Sequence, residues 1–166
     1  MDCPVQFAAN YFGMANTYTS LHYHIIFSTK NREHWIDAKI EERVWAYLGG
    51  IARENNFGTE CIGGMENHVH VLLALPATMA VSKAVQLLKG GSSAWIKDAF
   101  ADIPGIRQFA WQDGYGAFTV SKSHIPEVER YIKNQREHHR VKTFEGEFRI
   151  FLKKQGIEFD EAYLCG

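Results

Sequence analysis

The sequence predicts an α+β fold of the ferredoxin-like type, an antiparallel sheet in the order βαββαβ with additional C-terminal helices. Two observations carry this prediction. Short segments of alternating apolar residues, typical of strands, are interleaved with long segments of helical periodicity. The second and third strand segments are separated only by Glu66-Asn67, a tight turn that makes them a hairpin between the helices. We expect two helices on one face of the sheet and the other face free.

The bulk composition is that of a globular protein with a single domain. The chain has 166 residues, 46% hydrophobic and 22% charged, which is enough to bury a core without disulfides. Its three cysteines, Cys3, Cys61 and Cys165, form no C-x-x-C pair, so we expect a reducing, cytoplasmic location. The net charge of -1 argues against indiscriminate nucleic-acid binding but allows a local basic groove.

The chain divides into three parts. Residues 1–16 have no clear period and form an N-terminal extension, which we expect to be disordered or flexible. Residues 17–155 form the domain, and residues 156–166 a short tail. No apolar run approaches the roughly 18 residues that a membrane-spanning helix requires, so we expect no membrane partner.

The first half supplies three strands and one helix. Residues 20–29 form a strand, because Tyr23, Ile25 and Phe27 alternate with His22, His24 and Ile26. A helix follows Asp37, a good N-cap, and ends near Asn55. The hairpin strands are residues 59–65 and 68–75, and the second of these is apolar enough to lie at the centre of the sheet.

The second half supplies the remaining strand and the helices. Residues 79–100 are a long helix with an apolar stripe, and residues 115–121 a short strand after a glycine-rich loop. Ser123 and Pro126 begin a third helix over residues 125–138. Residues 145–155 form a final amphipathic segment.

Two pairs of histidines are the first candidates for chemistry. His68 and His70 are two residues apart on a strand, so both imidazoles lie on one face, as two ligands of a divalent cation would. His22 and His24 have the same spacing, which weakens the signal. Two hydrogen-bonded histidines on a sheet face explain the His68/His70 pattern equally well, and one site that uses all four would fit if the two strands are neighbours and face alike.

The helix over residues 125–138 gives a more specific indication of function than the histidine pairs do. Tyr131 and Gln135 lie one turn apart on its apolar stripe, together with Val128 and Ile132. A tyrosine there can be an ordinary core aromatic, but a buried amide needs a partner, and a metal ion is one. The sequence therefore favours a metal beside a tyrosine hydroxyl.

The chemistry would be phosphate chemistry. A phenol with a pKa of about 10 is a poor nucleophile at neutral pH, and a metal held by His68, His70 and Gln135 could orient a phosphate for it. Mg²⁺ or Mn²⁺ suits this role, although two imidazoles would also accept Zn²⁺. Four further residues are candidate DNA contacts, although solvated lysines and core aromatics have the same appearance: Lys30, Arg32, Lys89 and Trp111.

Four segments together resemble a known family. They are residues 24–30 (HIIFSTK), 67–70 (NHVH), 111–121 and 131–135 (YIKNQ). The chain resembles the small single-tyrosine transposases of bacterial and archaeal insertion sequences, the IS200-like family of the His-hydrophobic-His (HUH) nucleases. The resemblance covers residues 17–151.

The resemblance implies an activity and its residues. His68 and His70 would be the metal-binding pair, Gln135 the third ligand, and Tyr131 the nucleophile that forms a 5′-phosphotyrosine link with single-stranded DNA. The family recognises imperfect hairpins near the element ends. It acts as a homodimer in which the tyrosine helix of one subunit can complete the site of the other. His22 and His24 have no role in its motifs.

The sequence is also compatible with two other functions. A ferredoxin-like sheet can bind nucleic acid without catalysis, through aromatic residues on its free face. A metal-dependent hydrolase could use both histidine pairs, with Tyr131 only structural. The binding module does not explain why an amide, Gln135, lies on an apolar stripe. The hydrolase predicts that His22 and His24 matter as much as His68 and His70.

Overall fold

The computed structural model describes residues 18–140 and 143–160, and the extension expected at residues 1–16 lies outside these ranges. Its centre is a four-stranded antiparallel sheet in the order β2-β3-β1-β4. The strands are β1 (His22–Ser28), β2 (Gly58–Met65), β3 (His68–Ala74) and β4 (Gly116–Val120). The α+β ferredoxin-like prediction is confirmed, with the most apolar strand in the interior of the sheet.

Five helices accompany the sheet in the described part of the chain, besides short 3₁₀ turns. They are α1 (Glu41–Glu54), α2 (Val81–Ala99), α3 (Ile125–Lys133), α4 (Gln135–His138) and α5 (Phe144–Lys154). Across the described residues, none of these helices combines the length and apolar character needed to cross a bilayer.

The two faces of the sheet carry different side chains. On one face, Ile25, Phe27 and Val71 pack against α1 and α2 in the main hydrophobic core. On the other face lie the alternate residues of the same strands, which include both histidine pairs. Antiparallel pairing sets Ile26 opposite His70 and Ser28 opposite His68, so the histidines of β3 lie beside β1 rather than at a sheet edge.

The expectation of a free second face is wrong. Helix α3 packs Ile125 and Ile132 on Leu72, and α5 packs Phe144 and Leu152 around Ile26 and Phe118. The physical reason is that apolar residues lie among the histidines on this face, and leaving them in water would cost about 25 cal/mol per Å². The C-terminal helices therefore form a second layer over the histidines.

The predicted helix over residues 125–138 is broken at one residue. Asn134 has φ -99° and ψ 20°, so α3 ends at Lys133 and α4 begins at Gln135. The break leaves Tyr131 on one helix and Gln135 on the next, and both still lie on the sheet side. Helix α1 begins at Glu41 rather than at Asp37, because Asp37 instead accepts the backbone N–H of Lys39 in a preceding turn.

Two glycines allow the second layer to approach the sheet closely. A Cβ at Gly63 in β2 would lie 3.0 Å from both the Cγ2 atom and the backbone oxygen of Ile132 in α3. A Cβ at Gly116 in β4 would lie 2.7 Å from the ring of Phe148 in α5. Both positions therefore require a residue without a side chain for the second layer to pack as it does.

Candidate active site

His68 is the first of two imidazoles that β3 presents to the second layer. It is fully buried, and its Nδ1 atom lies 2.8 Å from the side-chain oxygen of Asn67. Because that oxygen can only accept, His68 donates from Nδ1 and keeps a lone pair on Nε2. The lone pair faces the interior, between β3 and α4.

His70 is oriented in the same way by a different neighbour. Its Nδ1 atom lies 2.9 Å from Nε2 of His24 on β1, and both rings are buried. The Nε2 atom of His70 has no hydrogen-bond partner among the described residues. In metal sites, a hydrogen bond to the nitrogen that does not bind the metal usually fixes the tautomer of a ligand histidine. His24 makes this kind of hydrogen bond to His70. This role of His24 was not predicted from the sequence.

Gln135, the first residue of α4, faces His68. Only 1% of it is exposed, and its Oε1 atom lies 3.3 Å from Nε2 of His68. With the proton of His68 on Nδ1, two acceptors face each other. Rotating the amide would satisfy His68 but leave the Gln135 oxygen unpartnered in place of its nitrogen, which has no partner now. A cation between the two acceptors removes the conflict.

Tyr131 lies beside the same histidines in the same chain. Its ring centroid is 5.7 Å from that of His70 and 6.0 Å from that of His24. Its hydroxyl donates to Oε1 of Glu147 on α5. The predicted nucleophile and the three predicted metal ligands are therefore gathered in one place within a single chain.

Glu147 is the residue of this site that the sequence reasoning missed. It is 7% exposed, and it offers a ligand atom that lies with those of His68 and His70 within 4.8 Å of one another. It also lies on the apolar stripe of α5, whose other members are Phe144, Phe148, Phe151 and Leu152. Glu147 thus has the same feature as Gln135, a polar residue on an apolar stripe.

Burial sets the charge states of the site. It lowers the pKa of His68 to about 4, with a further lowering from His139 and opposing effects of Gln135 and Glu147. Burial also lowers the pKa of His24 to about 4, against the raising effect of Glu147. Burial, followed by its histidine neighbours, takes the pKa of His70 well below its usual value. These rings are neutral at pH 7, which is the form that binds metals.

The pKa values of Glu147 and Tyr131 are shifted in opposite directions. Burial acts to raise the pKa of Glu147, but His139 and the Tyr131 hydroxyl hold it below its usual value, so the carboxylate is ionised. Burial, and then the charge of Glu147, raises the pKa of Tyr131. The phenol is therefore protonated at neutral pH and has a carboxylate acceptor already in place.

Unpartnered buried atoms make the strongest case that a cation belongs here. Among the described residues, the buried side-chain atoms without a hydrogen-bond partner are His70 Nε2, Gln135 Nε2, His139 Nε2 and Glu147 Oε2. All four residues surround the same place, and buried polar atoms are normally satisfied. A cation would satisfy the lone pairs of the two histidine nitrogens and of the Glu147 oxygen, but not the amide nitrogen of Gln135, which only donates hydrogen bonds. Neutral imidazoles, an amide oxygen and a carboxylate are donors that a divalent cation accepts.

The four candidate DNA contacts are not equivalent in the structure. Lys30 is exposed, and Arg32 forms an ion pair with Glu145 of α5. Trp111 is 7% exposed and donates from its ring nitrogen to Ser92, 2.9 Å away. Lys89 donates to the carbonyl oxygens of Gln112, Asp113 and Gly114. Trp111 therefore has a structural role in the core, and Lys89 has one in holding the carbonyl groups of this loop.

His22 lies apart from this group. Its Nε2 atom is 3.5 Å from a carboxylate oxygen of Glu60. On β1 it pairs with Ala74 and Val120, at the far end of the strand from the partners of His68 and His70. The structure therefore does not assemble a site from four histidines.

Comparisons with known proteins identify the family of the chain. The model of the family described as "Transposase IS200 like" matches residues 17–135. Transposases for insertion sequence element IS200 from Salmonella typhimurium and Salmonella typhi are each 32% identical to the chain over 130 residues. The match covers 75% of this chain and 82% of each of theirs.

Solved structures show the same fold. A putative transposase from Deinococcus radiodurans R1 superimposes with a TM-score of 0.60 at 28% identity, over 75% of this chain and 97% of that one. A REP-associated tyrosine transposase bound to a REP hairpin superimposes with a TM-score of 0.54, over 78% of this chain and 74% of that one. The second is only 13% identical and is similar in fold alone.

Proposed function

The chain belongs to the IS200-like transposase family, and from that premise we propose that it cleaves and rejoins single-stranded DNA at insertion-sequence ends through a 5′-phosphotyrosine intermediate. One observation carries the proposal: the Tyr131 hydroxyl lies beside the buried group formed by His68, His70 and Gln135. A phenol alone fits a core, but a phenol next to unpartnered metal-binding atoms fits phosphoryl transfer.

His68, His70 and Gln135 would hold a divalent metal ion, Mg²⁺ or Mn²⁺ being the best match to phosphate chemistry. When bound, such an ion supplies charge stabilisation and orientation to the scissile phosphate. The far nitrogen of each imidazole donates a hydrogen bond, from His68 to Asn67 and from His70 to His24, and these bonds would hold both rings in the orientation that binding requires.

Tyr131 would attack the phosphorus atom. A bond forms between the tyrosine oxygen and phosphorus, and the bond from phosphorus to the 3′ oxygen breaks. That oxygen keeps the bonding electron pair and takes a proton from water, which gives the free 3′-hydroxyl. Glu147 already accepts the phenol hydrogen and is placed to take its proton as the bond forms. Because the phosphotyrosine ester conserves the bond energy, attack by a 3′-hydroxyl reverses the step without ATP.

The substrate would be single-stranded DNA with hairpin ends. The fold neighbour that is bound to a REP hairpin motivates this part of the proposal. A homodimer stays a prediction, as does exchange of the tyrosine helix between subunits. In this structure Tyr131 and Gln135 lie next to the histidines of their own chain, which favours action within one subunit.

The two alternative functions have less support. A binding module that uses a free sheet face has no such face among the described residues, because α3, α4 and α5 lie over the second one. A hydrolase built on both histidine pairs would need His22 in the site, and His22 is paired with Glu60 instead.

A covalent-trapping assay tests the proposal. The protein is incubated with labelled single-stranded DNA that carries the element's own end sequences, with Mg²⁺ or Mn²⁺, and run on a denaturing gel. We expect a protein–DNA band that is absent from Tyr131→Phe. Tyr47→Phe is the matched control, since Tyr47 stacks on Trp95 in the other layer and should leave the band unchanged. A band that persists in Tyr131→Phe would show that another residue is the nucleophile.

A further inference from the structure

We propose that Glu147 of α5 is a fourth protein ligand of the cation held by His68, His70 and Gln135, and that the same carboxylate holds the Tyr131 hydroxyl through its other oxygen. This inference rests on the proposed function of the site. It adds a residue beyond the part of the chain that matches the family model, which ends at Gln135.

The two oxygens of Glu147 have different surroundings. Oε1 accepts the hydroxyl of Tyr131. Oε2 is buried without a hydrogen-bond partner among the described residues, 3.8 Å from Nε2 of His70, which also has none. Ligand atoms on neighbouring positions of one Mg²⁺ or Mn²⁺ lie about 3 Å apart, since each is about 2.1 Å from the ion. A small closure therefore brings both atoms onto one ion.

A cation explains the surroundings of Glu147 Oε2 better than an ion pair with His139 does. His139 Nε2 lies 3.2 Å from Oε2 of Glu147, yet the two atoms do not have the alignment of a hydrogen bond. The guanidinium of Arg32, which α5 could also use, is paired with Glu145. Burying an ionised carboxylate without a well-aligned partner is costly. A divalent ion at Oε2 would offset that cost and satisfy His70 as well.

The consequence is a link between metal and nucleophile. One rigid carboxylate would contact the ion through Oε2 and position the phenol through Oε1, so that the phosphate-binding and attacking groups keep a fixed distance. A carboxylate also changes the donor set from two nitrogens and one oxygen to two of each, which favours hard cations such as Mg²⁺ and Mn²⁺.

Metal titration by isothermal calorimetry tests the ligand role without relying on activity. Full-length wild type, Glu147→Gln and Glu137→Gln are titrated with Mn²⁺, Mg²⁺ and Zn²⁺. Glu137 is the matched control because its exposed side chain pairs with Arg140, outside the site. We expect Glu147→Gln to raise the Mn²⁺ Kd by about tenfold or more, the range seen even for residues behind a ligand. The loss should be larger for Mg²⁺ than for Zn²⁺, and Glu137→Gln should bind like wild type.

Circular dichroism in EDTA checks that each variant is folded, and Glu147→Asp, which keeps the charge but shortens the reach, replaces Glu147→Gln if that variant is not. His68→Ala is the reference for loss of the site. If Glu147→Gln binds Mn²⁺ like wild type while His68→Ala does not, the carboxylate is not a ligand and the proposed function stands. If wild type binds no Mn²⁺, the ligand role is overturned whatever the covalent assay shows. Failure of the proposed function is read separately, from the absence of the Tyr131-dependent band.

Discussion

His24 explains why one histidine of the β3 pair is ready to bind a metal. It lies on β1, diagonally across from His70, and its Nε2 atom is 2.9 Å from Nδ1 of His70. With that nitrogen engaged, the other nitrogen of His70 faces the site. In the proposed site, the two histidine pairs that look alike in sequence therefore have different roles: β3 would supply two ligands, and β1 would supply the support behind one of them.

Replacing His24 should weaken metal binding although His24 is not a ligand. In His24→Phe the ring volume is kept, but His70 loses the partner that fixes its orientation. We expect the Mn²⁺ Kd to rise by about tenfold to a hundredfold, measured by isothermal calorimetry.

The matched control for this prediction is His22→Phe, on the same strand and the same face. His22 has Glu60 as its neighbour and lies outside the site, so its Kd should not change. Equal losses in the two variants would instead support a site built from both histidine pairs.

The residues of the site were predictable where a local pattern singled them out. Gln135 stood out as an amide on an apolar stripe, and His68 and His70 as a pair on a central strand. Glu147 had the same signal on the stripe of α5, but an acidic residue in the first turn of a helix has an ordinary explanation in the helix dipole. The role of His24 was not predictable, because it depends on the register between β1 and β3.

At the scale of elements, the position of α3 against β2 decides where Tyr131 lies. The two elements touch at Gly63, where a Cβ would meet Ile132 at 3.0 Å on both side chain and backbone. Backbone cannot move aside as a flexible side chain can. The tyrosine helix therefore depends on a position of the sheet that has no side chain.

Gly63→Ala should move α3 away from the sheet. We expect a loss of about 1–3 kcal/mol in the free energy of unfolding, the usual cost of overpacking, together with a weaker covalent DNA band. Urea denaturation and the trapping assay measure the two effects.

Gly90→Ala is the control for this change. Gly90 lies inside α2, and a Cβ there would meet nothing within 4 Å. Because alanine is the better helix former, this variant should gain roughly 0.5–1 kcal/mol. A Gly63→Ala protein as stable and active as wild type would show that α3 does not depend on this contact.

The order of the elements followed from the sequence, but the layer over the histidines did not. Alternation in β1 and helical periodicity in α1 and α2 are local properties, and the structure confirms them. The break at Asn134 and the docking of α5 on the second face depend on contacts between distant segments. Only the apolar residues Ile26, Leu72 and Phe118 on that face hinted that something must cover it.

At the scale of the whole molecule, the two layers are held to the sheet unequally. The layer of α1 and α2 shares one extended hydrophobic core with the sheet, whereas α3 and α5 rest on two small clusters. The second layer also contains buried polar atoms without a hydrogen-bond partner, in Gln135 and Glu147. Regions with few buried apolar contacts open at lower free energy than the rest of a fold. The second layer should therefore open first, and a metal ion would connect it to β3.

Hydrogen–deuterium exchange measures this difference directly. Without metal, we expect backbone amides of α4 and α5 to exchange faster than those of α1 and of β3. Mn²⁺ at a hundred times its Kd stabilises the closed form by about 2.7 kcal/mol, so amides whose opening breaks the site should exchange about a hundredfold more slowly. Amides of α1 that open independently of the site should be unaffected.

The variants separate the contributions of the two helices. In His68→Ala, Mn²⁺ should protect neither α4 nor α5, since the site is lost. In Glu147→Gln, Mn²⁺ should still protect α4, which carries Gln135, but should protect α5 much less, because a neutral amide would replace the carboxylate that connects α5 to the ion. Protection spread evenly over α1, α4 and α5 would mean that the two layers open as one cooperative unit, and the unequal cores would then not control how the molecule opens.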